Sequence, residues 1–162
     1  MKKVILSVAV LAVIFTGCKK NDDDPAPSKT KTELLTANTW ILSGATADKS
    51  VDYDGNGNSS IDVFSQMDAC EKDDFTIFLN NDNIKSGISY EGALPCNGGT
   101  ANDVYAFTWA FNSTETILTT SFDGDSSDVI LVELTDTTLK ISYTAIDSND
   151  LSYIKTVTLT KK

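Results

Sequence analysis

Tyr105-Ala106-Phe107-Thr108-Trp109-Ala110-Phe111 alternates large aromatic and small side chains for seven residues. Successive side chains on a strand point to opposite faces, so this pattern puts four rings on one heavily apolar face. Similar short segments follow one another through most of the chain: residues 40–47, 75–80, 84–90, 115–122, 129–134, 139–146 and 151–160. In the last of these Tyr153, Lys155, Val157 and Leu159 share one face. Turn-forming residues separate the segments at Asn81-Asp82-Asn83, Asn112-Ser113, Asp123-Gly124-Asp125, Thr135-Asp136-Thr137 and Ser148-Asn149-Asp150. Eight strands at hairpin spacing, without a long helical period, predict an all-β antiparallel meander. Closure into an eight-stranded up-and-down barrel would remove both exposed edges. A β-sandwich is the alternative, because pattern alone does not separate the two. Helix is expected only over residues 32–37, capped by Ser28 or Thr30, and over residues 61–67.

The N-terminus has a different character. Met1-Lys2-Lys3 precedes an apolar run from Val4 to Phe15, followed by Thr16-Gly17-Cys18. A basic start, a short apolar core and a small residue before the cut mark a secretory leader. The run is shorter than the roughly 20 residues a membrane-spanning helix needs. Phe15-Thr16-Gly17-Cys18 resembles a bacterial lipobox. That resemblance implies that Cys18 becomes the first mature residue and carries acyl chains, which bind the chain to a membrane. Residues 18–31 hold Lys19-Lys20-Asn21-Asp22-Asp23-Asp24, two prolines and little apolar content, and read as a disordered acidic tether. Fully extended, they span about 45–50 Å. The Lys-then-acidic run resembles the export tag of Bacteroidota surface lipoproteins, implying the outer leaflet of the outer membrane. A plain spacer on a periplasm-facing lipoprotein is the other reading. The domains are thus a leader (1–17), a tether (18–31) and one β domain (32–162).

Charge and composition narrow the function. All 13 basic residues are lysines, and there is neither arginine nor histidine, against 23 acidic residues. Loss of Lys2 and Lys3 with the leader takes the formal charge from −10 to −12. Nucleic acid needs a clustered basic surface, so it is not an expected partner. Without imidazole, histidine-based triads and zinc sites are excluded. Glu71, Asp73 and Asp74 offer carboxylates, but neighbours on a strand face opposite ways, and no nucleophile motif accompanies them. The expectation is a protein that is not an enzyme. Cys70 and Cys96 are the remaining cysteines of an exported chain, and are expected to form a disulfide.

Two constellations are candidates for binding. Asp52-Tyr53-Asp54-Gly55-Asn56-Gly57-Asn58-Ser59-Ser60-Ile61-Asp62 places Asp52, Asp54, Asn56, Asn58 and Asp62 where side-chain oxygens could converge on calcium. Neither possible register supplies the terminal bidentate carboxylate, so the segment is either a weak calcium site or a polar loop. No other cofactor is expected. The aromatic face of residues 105–111 either packs a core or lines a cavity. In the second case Phe107 and Trp109 would contact a small apolar ligand, with hydroxyls from Tyr90, Thr108 or Tyr143. Nothing in the sequence indicates an oligomeric state.

Leu34-Leu35-x-x-Asn38-x-Trp40 resembles the opening of lipocalin-like domains, with Asn38 where glycine is usual. Asp68-Ala69-Cys70-Glu71-Lys72-Asp73-Asp74-x-Thr76-x-Phe78 and Leu134-Thr135-x-Thr137-Thr138-Leu139-Lys140 resemble the small lipocalin-like domains of Bacteroidota lipoproteins. The resemblance covers residues 32–162 and implies a barrel holding a small ligand. The competing class is a structural or protein-interaction module whose barrel is filled by its own side chains.

Overall fold

The computed structural model describes residues 28–82, 84–96 and 103–162. The leader, Cys18, most of the tether and Asn83 lie outside the described residues. Twelve elements follow in chain order: α1 (Lys31–Thr36), β1 (Thr39–Val51), β2 (Ser60–Asp62), α2 (Val63–Gln66), α3 (Ala69–Lys72), β3 (Phe75–Asn81), β4 (Ile84–Tyr90), β5 (Val104–Phe111), β6 (Ile117–Phe122), β7 (Asp125–Leu134), β8 (Thr138–Ile146) and β9 (Ser152–Lys161).

Every pairing is antiparallel. Strands β3 to β9 pair in sequence, and β1 closes the ring by pairing with β3 at Thr39–Ile41 and with β9 from Trp40 to Ala47. The result is an eight-stranded up-and-down barrel rather than a sandwich. β1 can serve several neighbours because its register shifts between Leu42 and Gly44, which bends the strand. Its far end leaves the barrel and pairs with β2 at Thr46 and Val51. β2 is a ninth strand that the sequence pattern did not suggest. It converts the start of the helix expected over 61–67 into strand, leaving helix only at Val63–Gln66. The expected turn at 123–125 is tighter than read. Phe122 pairs with Asp125 across Asp123 and Gly124, whose φ values of 48° and 92° suit a two-residue hairpin. β7 therefore begins at Asp125, and its polar start is held to β6 by Ser121–Ser126 and Thr119–Asp128 hydrogen bonds.

One end of the barrel is plugged. Thr30, one of the two caps expected, forms a capping box with Glu33 at the start of α1. The helix drops Leu35 among Trp40, Phe78, Trp109, Leu118 and Leu139. The Trp40 indole N–H donates to the Leu35 carbonyl at 2.8 Å, and Trp109 donates to the Leu79 and Ser86 carbonyls. Phe78, Phe107, Trp109 and Phe111 interlock edge to face, with centroids 5.5–5.9 Å apart. The chain enters at this end. Lys29 pairs with Asp136 in the β7–β8 turn, and Lys31 Nζ donates to the Glu115 carbonyl before β6.

The opposite end carries α2, α3 and the β4–β5 connection. A second core of Ala45, Val51, Val63 and Tyr153 packs there, with Phe64 and Met67 of the α2 segment against it. Cys70 on α3 and Cys96 in the β4–β5 connection form a disulfide with Cα atoms 5.4 Å apart.

Candidate functional site: the barrel cavity

Between the plug and the open end lies a cavity of about 510 Å³. Its floor is the top of the plug, made by Phe78, Leu118 and Leu139. Phe107, Val129, Ile141 and Leu159 form its walls. Thr76, Ser89, Thr120 and Ser127 add hydroxyls, and Tyr105, Phe122 and Asp125 stand at the rim. Tyr105 and Phe122 meet edge to face at 6.2 Å, yet are 41% and 52% exposed. Aromatic surface is therefore left open at the rim.

The barrel wall is not continuous at this level. β7 pairs with β8 only between Ile130 and Leu134, opposite Ser142 to Leu139. Above that the two strands separate, leaving a recess lined by Ser127, Asp128, Val129, Tyr143 and Thr144. It shares Ser127 and Val129 with the cavity, so the two are neighbours through the wall.

Phe107 reaches the cavity because β4 gives way to it. A Cβ on Gly87 would sit 2.1 Å from the Phe107 ring, so only glycine lets the ring lie against that backbone. Trp109 lies deeper, as part of the floor core rather than the cavity surface. Tyr143 lines the neighbouring recess. Tyr90 is elsewhere: it stacks on Phe75 with centroids 4.6 Å apart, one residue out of step with the inward Ser89. Thr108 is exposed, the phase of β5 opposite to its rings. The four lining hydroxyls escaped sequence reading. Their strands mix small polar and apolar residues without the clean alternation of residues 105–111.

A polar cluster stands near the mouth. Lys155 is 6% exposed, and its ammonium lies 4.4 Å from the centre of the Tyr53 ring. No carboxylate pairs with it among the described residues. Burial pushes its pKa down, opposed by the nearby charge of Glu71. The Tyr53 hydroxyl donates to Glu71 Oε1 at 2.6 Å. Burial first, and that carboxylate second, hold the phenol well above its ordinary value. Burial likewise raises Tyr143, which pairs with Lys155 across β8 and β9, and Tyr153, whose buried hydroxyl finds no partner among the described residues.

The acidic residues of residues 71–74 have structural duties. Glu71 closes a capping box with Asp68 on α3. Asp73 accepts from the Leu94 N–H and Asp74 from the Gly92 N–H, both at 3.0 Å, tying down the β4–β5 connection. Of the proposed calcium residues, Asp52 is buried, Asp54 accepts from Asn56, and Asn56 accepts from Asn58. Asp62 instead caps α2 through the Ser65 N–H. No group of three His, Cys, Asp or Glu side chains converges as a metal site among the described residues. Among the described residues, no helix is long and apolar enough to cross a membrane.

No protein-family profile matches this chain, and no curated protein matches it. Among solved structures it is similar to a complex of bovine odorant binding protein with a selenium-containing odorant. The identity is 8% and the TM-score 0.44, over 86% of this chain and 77% of that one. The barrel assignment rests on the strand pairing itself.

Proposed function

We propose that this chain is a lipid-anchored, non-catalytic binding protein whose barrel takes up one small apolar molecule. The observation carrying this reading is the cavity of about 510 Å³, with apolar walls and a few hydroxyls. Ligand sites are typically apolar hollows of about 300–1,000 Å³ with a few placed polar groups. A barrel serving only as a structural or docking module would be expected to fill that volume with its own side chains. The anchor is Cys18, and the acidic tether suits display at the outer-membrane surface; both follow from the sequence resemblance alone.

Native mass spectrometry of the full chain purified from its own host tests the reading directly: a retained small molecule supports it. A fluorescent apolar probe gives a second readout. Thr120→Trp should fill the cavity and weaken probe binding by at least about tenfold, the worth of roughly 1.4 kcal/mol. Absence of both a retained molecule and probe binding would favour the docking module.

A further inference from the structure

The loop between β1 and β2 contains a carboxylate that its surroundings do not satisfy. Asp52 is 5% exposed. Its Oδ2 accepts from the Gly57 N–H at 3.0 Å, so the carboxylate is turned into the loop it begins. Its Oδ1 is buried without a hydrogen-bond partner among the described residues. No lysine compensates it, since the two ion pairs seen among the described residues, Lys29–Asp136 and Lys140–Glu133, lie elsewhere. A buried carboxylate oxygen left without a partner is costly, and a cation is a direct remedy.

The loop around Asp52 is rich in oxygen ligands. Gly55 and Gly57 adopt φ values of 72° and 86°, curling the chain back on itself. Asp54 and Asn56 follow at alternate positions, the spacing by which oxygen-rich loops surround calcium. The base is fixed independently. The Asp52 carbonyl accepts from the Ser148 hydroxyl at 2.7 Å, while Asp147 accepts from the Asn149 and Leu151 N–H groups in the β8–β9 turn.

We propose that residues 52–58 bind one calcium ion, with the inward Asp52 carboxylate as its buried anchor. Asp54 and Asn56 supply further side-chain oxygens, and loop carbonyls and water complete the shell. Asp54 leaves its present hydrogen bonds to Asn56 to do so. Asp62, committed to capping α2, is not a ligand. Calcium accepts mixed carboxylate, amide and carbonyl oxygens in flexible geometry, whereas magnesium demands a near-ideal octahedron. Two carboxylates make a weak site, suited to the millimolar range of extracellular calcium modules.

Terbium is the probe, because Tyr53 lies within the loop and sensitises its luminescence. The purified full chain should show tyrosine-sensitised terbium emission that calcium displaces and equimolar magnesium does not. About 10 mM calcium should raise Tm by about 3–5 °C. Asp54→Ala, at an exposed position, should keep the calcium-free Tm and weaken binding about tenfold. Asp52→Asn should abolish the response. Unchanged Tm and absent terbium emission in the wild type would overturn the proposal, as would an Asp54→Ala variant that binds like the wild type.

Discussion

Gly87 shows how a single position shapes the cavity. The Phe107 ring occupies the space its missing side chain leaves. Gly87→Ala should therefore push that ring toward the cavity and cost about 1–3 kcal/mol, the usual range for overpacking. Urea unfolding measures the cost, and probe titration should show weaker binding. The buried tyrosines carry a second prediction. Tyr53, Tyr143 and Tyr153 have folded pKa values above the ordinary phenol value of about 10. Their contribution is intact below that value and is lost as pH rises through their folded values. Lys155 acts in the opposite sense, because its folded value lies below the ordinary value of about 10.4. The penalty for burying its charge fades as pH rises through the folded value. Lys155 should raise urea midpoints as pH climbs toward its ordinary value of about 10.4, and the phenols should lower them above about pH 10. Tyr53→Phe should flatten the fall, and Lys155→Met the climb.

The strands differ in how openly their sequences declare themselves. β5 could be read with its inward face because every second residue is aromatic. β4, Ile84–Tyr90, offers Ile, Lys, Ser, Gly, Ile, Ser and Tyr in turn, so neither face stands out. Tyr90 was expected at the ligand, whereas Ser89 is the residue that lines the cavity. β2 was hidden for a related reason: three residues have no period, and its partner is the far end of a bent strand. The strand expected over residues 129–134 omits the polar start of β7, because the stabilisation there comes from cross-strand hydroxyl and carboxylate pairs rather than burial. A cap for α1 at Ser28 or Thr30 and the cysteine pair were readable, since both are local or compositional signals. The disulfide joins α3 to the β4–β5 connection across 26 residues of sequence. Replacing both cysteines by serine should cost about 3–4 kcal/mol on the chain-entropy estimate. A matching drop in the urea midpoint of the reduced wild type would locate the effect in the bridge.

In the assembled barrel, acidic composition and function come apart. A chain with 23 acidic residues invites a search for cationic partners. Several of these carboxylates instead satisfy backbone N–H groups: Glu33 at α1, Glu71 at α3, Asp73 and Asp74 beside the mouth, and Asp147 in the last turn. Their service is to loops and helix ends, which a barrel with many connections needs in number. The anchoring proposed above is tested over the complete chain. Labelled palmitate should be incorporated in the native host, and Cys18→Ala should release the protein from the membrane fraction. Unlabelled protein with unchanged fractionation would remove the anchor.

The chain enters beside the plug, while the cavity opens at the other pole. Under the anchor proposed above, the leash joins the barrel at its blind pole, so attachment and aperture lie at opposite ends. On that arrangement a guest reaches the aperture through water or from another carrier, and capture from the surroundings is the task the proposal implies.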